Sequence, residues 1–175
     1  MVNSISLVGL MGSGKSSLSQ LLANHLGYHR LDTDLWISDK IGLPIHQIIE
    51  TLGWDFFRKQ EKELPNTLIL KSPCVIATGG GFVMQEDNFQ WLKRKTTMVY
   101  LHVSPEIAVE RTLSSSPCRP LLDLLSRDER LALMSHQYLE RDPVYARAEH
   151  RLNGELSLEE LLLKLVKIAT ESEVE

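Results

Sequence analysis

Apolar positions along this chain follow two rhythms. Short runs with apolar residues at 5–8, 28–31, 75–77 and 98–103, with a weaker one at 150–152, predict strands, and longer stretches between them repeat their leucines at helical spacing. Leu18, Leu21, Leu22 and Leu26 make one helix face, and Gly27 just beyond it predicts the stop. Near the other end, Ser157 and Glu160 form a capping-box pattern ahead of Leu158, Leu161, Leu162, Leu165 and Ile168. Strands separated by helices predict right-handed βαβ units. The fold class is therefore α/β: three layers, with helices on both faces of a mainly parallel, five-stranded sheet. Ligands in that architecture sit at the carboxyl ends of the strands. The 175 residues show no internal repeat and no linker, which predicts one domain over 1–175. One stretch, 113–125, contains Ser114, Ser115, Ser116 and Pro117 near its start and reads as a mobile lid.

Charge and composition narrow the partners. A net charge of -4 and a pI near 5.9 exclude a broad basic face, so no nucleic-acid partner is expected. The start, MVNSISLVGL, lacks the charged start, long apolar core and cleavage pattern of a secretory signal, and no apolar run reaches membrane-spanning length. A cytoplasmic protein without a membrane partner is the expectation. Cys74 and Cys118 lie far apart without zinc spacing and are expected to be reduced thiols. The six histidines show no H-x-x-x-H pattern and receive no catalytic role.

Against that acidic background, any anion site has to be built locally. The stretch GLMGSGKSS at 9–17 fits G-x-x-x-x-G-K-[ST] through Gly9, Gly14, Lys15 and Ser16, directly after the first predicted strand and before the first helix. Glycines there let several N–H groups converge on the same phosphate oxygens, and the helix adds its positive end. Lys15 is placed to reach β and γ phosphates, and the Ser16 hydroxyl to ligand Mg2+. The bland alternative is a glycine-rich turn, which the flanking strand and helix argue against. Neither an N-K-x-D guanine reader nor an L-S-G-G-Q signature is present.

What receives the phosphoryl group must come from later segments. RLDTD places Asp32 and Asp34 at the ligand edge, on one face if the strand continues, where two carboxylates could hold metal-bound water and a substrate hydroxyl. A helix cap for LWISDKIG is the competing reading. Arg58, in FFRKQE, taken by itself reads more often as a solvated helix residue. Gly79, Gly80 and Gly81 follow an apolar strand, where they allow close backbone approach to a ligand or simply make a flexible turn. Trp54 reads as pocket lining or core.

Taken together, these segments resemble the shikimate kinase family over roughly residues 3–170: the phosphate loop, Asp32-x-Asp34, Phe57-Arg58-x-x-Glu61, Gly79 to Gly81, Arg119-Pro120-Leu121-Leu122, and Arg141 followed by Tyr145. The resemblance implies transfer of the ATP γ-phosphoryl to the 3-hydroxyl of shikimate, with Mg2+, in a monomer. It implies nucleotide binding by Gly12, Ser13, Gly14, Lys15, Ser16, Ser17, Arg111 and Arg119, and metal binding by Ser16 and, less directly, Asp32. Substrate binding falls to Asp34, Arg58, Gly79, Gly80, Gly81 and Arg141, and catalysis to Lys15, Asp34 and Arg119. The adenine end departs from the family: RLNGELS offers no arginine beyond Arg151. Two arginines and a magnesium ion nearby are expected to push the Asp34 pKa down. The competing functions are another small P-loop kinase, such as a gluconate kinase, and a nucleotide-dependent switch or binding module.

Overall fold

The computed structural model describes residues 4–67, 73–114 and 120–171. Its strands are β1 (Ser4–Val8), β2 (His29–Asp32), β3 (Cys74–Ala77), β4 (Thr96–His102) and β5 (His150–Asn153). They form one sheet in the order β2-β3-β1-β4-β5, with every pairing parallel. The helices are α1 (Lys15–Leu26), α2 (Thr33–Ile41), α3 (Ile45–Thr67), α4 (Glu86–Lys95), α5 (Pro105–Ser114), α6 (Pro120–Asp123), α7 (Arg127–Tyr145) and α8 (Leu158–Glu171).

The period of two along each central strand sorts side chains between two cores. Ile5 and Leu7 of β1, Val75 of β3, and Val99 and Leu101 of β4 pack with Leu18, Leu22, Leu161 and Leu165 of α1 and α8. Val8, Ile76, Met98 and Tyr100 point the other way, onto Ile48, Phe57, Phe89 and Met134 of α3, α4 and α7. Covered on both faces, the sheet gives the three layers that the pattern predicts. No helix among the described residues is long and apolar enough to cross a membrane.

Helix ends follow local chemistry. Gly27 caps α1 at φ 69° and donates its N–H to Ala23 O, and Tyr28 N–H also reaches Ala23 O at 2.9 Å. That bond keeps Tyr28 in the helix terminus, so β2 starts one residue later than the apolar run suggests. The capping box of α8 is present: Ser157 N–H and Oγ both donate to Glu160 Oε2, and Glu160 N–H returns to Ser157 Oγ. Helix α3 bends at Gly53, whose φ of 84° and ψ of 165° are not helical.

Parallel strands put all carboxyl ends on one edge, and the loops leaving β1, β2, β3 and β5 open there into a single cleft. Only the ends of the 113–125 stretch fall within the described residues. Arg119 and Cys118 lie outside them. Where the chain resumes, the buried Arg130 side chain donates to Leu125 O at 3.2 Å and Asp123 Oδ1 at 3.3 Å.

Candidate active site

A cleft of about 1120 Å³ runs along this edge, with the 9–17 loop on its floor and Asp32, Asp34, Thr78, Gly79 and Gly80 at one end. Gly12 adopts φ 83°, and a Cβ there would come 2.6 Å from Ala108 O, so the loop's curl depends on glycine at that position. Lys15 is 8% exposed and donates to Gly9 O at 2.8 Å, Leu10 O at 2.7 Å and Ser13 Oγ at 3.3 Å. Its ammonium is thus held inside the curl, where phosphate oxygens are expected. Gly14, Ser16 and Ser17 line the same floor.

Asp32 caps a helix with one oxygen and turns the other toward the phosphate loop. Its Oδ1 caps α2, accepting from Asp34 N–H at 3.2 Å and Leu35 N–H at 3.4 Å. Its Oδ2 accepts from Ser16 Oγ at 3.3 Å and from Arg30 Nη2 at 3.1 Å. The expectation that a continuing strand sets both carboxylates on one face is corrected here: the chain turns helical at Thr33, and the first turn of α2 brings Asp34 to the cleft. Ser16 and Asp32 offer hard oxygen donors suited to Mg2+. Among the described residues no three His, Cys, Asp or Glu gather into a metal cage.

The chain's own groups do not give Asp34 the lowered pKa expected beside two arginines and a magnesium ion. Its carboxyl is pushed up to about 7, by burial first, then by the charges of Asp32 and Glu61; Lys15 and Arg58 pull it down but do not win. The residue opens partly to the cleft, yet its Oδ1 is buried and has no hydrogen-bond partner among the described residues. Such an atom wants a donor, and a substrate hydroxyl is one.

The three consecutive glycines each stand against a different group. A Cβ on Gly79 would overlap the Asp34 carboxylate, and one on Gly81 would overlap the Arg58 guanidinium. One on Gly80 would sit 3.1 Å from Arg141 Nη1. Close approach, rather than turn flexibility, is what the triplet provides. Gly79→Ala is accordingly expected to displace the Asp34 side chain and abolish acceptor-dependent turnover, while calorimetry finds ADP binding within about threefold of wild type.

Arg58 and Arg141 line one adjoining pocket of about 340 Å³ with Gly81, Met84, Gln85 and Glu140. Arg58 comes from α3 and Arg141 from α7. Arg58 is held by Glu61 at 2.5 Å, whose side chain is 1% exposed and whose pKa burial raises despite the guanidinium. Trp54 is 51% exposed, lines the cleft, and carries the Arg58 guanidinium 5.1 Å above its ring, so it is cleft rather than core. At the far end, Arg111 Nη1 donates to Gly154 O at 2.8 Å beside the 154–158 loop. Arg151 instead lies over the Tyr100 ring at 5.5 Å and does not line the cleft.

Sequence reasoning passed over Arg30, Gln85 and the supporting role of Glu61. The i, i+3 spacing of Arg58 and Glu61 was the available signal for the last of these. Arg30 shares a strand face with Asp32, but nothing local distinguishes it from a solvated residue.

A phosphate loop between β1 and α1, facing a carboxylate and two arginines across the carboxyl edge of a parallel sheet, defines a P-loop phosphotransferase acting on a small anionic acceptor. The family model for shikimate kinase matches residues 11–169, and the chain belongs to that family. A shikimate kinase of Neisseria meningitidis serogroup C is 39% identical over 139 residues, 79% of each chain. One from Thermodesulfovibrio yellowstonii is 34% identical over 167 residues, 95% of this chain and 94% of that one. The structure of shikimate kinase from Acinetobacter baumannii in complex with shikimate superposes with a TM-score of 0.87 at 31% identity, covering 100% of this chain and 97% of that one. The activity is that of the family, ATP-dependent phosphorylation of shikimate.

Proposed function

We propose that this chain moves the γ-phosphoryl group of ATP to the 3-hydroxyl of shikimate with the residues gathered in the cleft and in the pocket lined by Arg58 and Arg141. The N–H groups of Gly12 to Ser17 and the Lys15 ammonium hold the β and γ phosphates, and Arg111 borders the base. Magnesium, when bound, neutralises charge on the phosphate oxygens, and Ser16 Oγ with Asp32 would hold it. Arg119, which lies outside the described residues, joins the phosphates in this reading. Arg58 and Arg141 grip the acceptor carboxylate, since two guanidiniums suit one carboxylate. Asp34 Oδ1 accepts the hydrogen bond of the acceptor hydroxyl, aligns it, and takes its proton as the new bond to phosphorus forms. The 113–125 stretch acts as a lid that excludes water.

One observation carries this reading: three successive backbone positions touch Asp34, Arg141 and Arg58, so one short loop sets the hydroxyl end and the carboxylate end of the acceptor site relative to each other. The test compares shikimate with an analogue lacking the carboxylate. Arg58→Ala and Arg141→Ala should each weaken shikimate at least about tenfold, lose most of the preference for the acid, and leave ADP affinity nearly intact. A variant that keeps the wild-type preference removes its arginine from the clamp.

A further inference from the structure

Tyr145 ends α7, one helical turn beyond Arg141, so the two side chains share a face. The tyrosine is fully buried, and its hydroxyl donates to Gly80 O at 2.5 Å, across 65 residues of sequence. The guanidinium stands at the same place: a Cβ on Gly80 would come 3.1 Å from Arg141 Nη1 and 3.6 Å from Tyr145 Oη. A second tyrosine backs the first. The Tyr100 and Tyr145 rings lie 5.2 Å apart at 41°, and Tyr100 Oη donates to Oδ1 of Asp142, the neighbour of Arg141, at 2.7 Å. Residues 141–145 of α7 are thereby tied to the loop after β3 by one phenol and to β4 by the other.

We propose that Tyr145, backed by Tyr100, is a positioning residue for the acceptor: its hydroxyl fixes the Gly80 carbonyl against the turn of α7 that presents Arg141. The proposal rests on the reading that Arg141 holds the acceptor carboxylate. With its proton committed to Gly80 O, the phenol leaves lone pairs on the side where the Arg141 guanidinium lies. Burial, opposed by the Arg141 charge, pushes the phenol up to about 12, which keeps it a donor through the working range of pH. An ordinary core tyrosine would contribute its ring alone, and the hydroxyl would then be dispensable. Here the hydroxyl reaches across to the acceptor loop and bonds to Gly80 O.

Tyr145→Phe keeps the ring and removes that one bond. It should raise the shikimate KM about tenfold, lower the preference for shikimate over its carboxylate-free analogue by a similar factor, and change kcat and ADP affinity by less than about threefold. A purely structural loss would lower the active fraction, and with it the apparent kcat, without moving the acid preference. Tyr100→Phe, which releases Asp142, should shift the same preference in the same direction and serves if Tyr145→Phe does not fold. The control is Arg141→Ala. Loss of acid preference in Arg141→Ala but not in either phenylalanine variant overturns the proposal and leaves the clamp standing; loss in none of the three overturns both.

Discussion

Lys15→Met should lower shikimate-dependent ADP release at least about a thousandfold in a protein that still folds. The ammonium is the one cation inside the loop's curl among the described residues, held by Gly9 O, Leu10 O and Ser13 Oγ. Phosphoryl transfer asks the protein mainly for positioning and charge neutralisation, so removing that charge strikes the largest contribution. Methionine preserves the apolar stem of a side chain that is 8% exposed, which limits the structural damage. Steady-state turnover, measured beside a circular-dichroism melt, separates the two effects. Near-normal turnover in the folded variant would remove the loop from the mechanism.

Asp34→Asn should nearly abolish turnover and yet make the protein more stable at pH 8. Asparagine keeps the shape but cannot take the acceptor's proton. The stability effect follows from linkage. In the unfolded chain the carboxyl titrates near its ordinary 3.8, and in the folded chain near 7, so the folded state favours the protonated form. The stability this group contributes is full below pH 3.8, falls as pH rises, and is lost above 7. The difference corresponds to at most about 4 kcal/mol at alkaline pH. Urea midpoints should therefore show the variant level with wild type near pH 4, ahead by a margin that grows to pH 7, and ahead by a constant margin beyond. An advantage that does not change with pH, or none at pH 8, would mean that Asp34 is not held protonated by burial. Such a trade of stability for function is what an acid forced into a covered site implies.

How much of this was legible beforehand depends on where the determining contacts lie. The central strands β1, β3 and β4 read clearly because burial on both faces leaves apolar runs without alternation. The edge strands β2 and β5 are four residues each and partly exposed, so their boundaries are set by a helix cap before one and a sheet neighbour beside the other. The full length of α3, with Gly53 and Pro65 inside it, is hidden from a pattern that treats both residues as breakers. The phosphate loop is contiguous and was visible whole. The acceptor end is assembled from α2, α3, the β3 loop and α7, and its electrostatics were misjudged for that reason. Counting the arginines and a magnesium ion near Asp34 predicts a lowered pKa, but among the chain's own groups Glu61 arrives from 27 residues away and burial comes only with the packed fold. Tyr145 is legible four residues after Arg141, and its bond to Gly80 is not.

In the reading proposed above, the phosphate loop and an acceptor site for a small hydroxylated acid face each other across one edge of the sheet. A coupled assay of ADP release, run with shikimate, quinate and gluconate as alternative acceptors, tests it most directly. ADP release should depend on shikimate and equal the shikimate phosphate formed, with gluconate inactive. ATP binding without acceptor-dependent turnover, or faster turnover with gluconate than with shikimate, would contradict it.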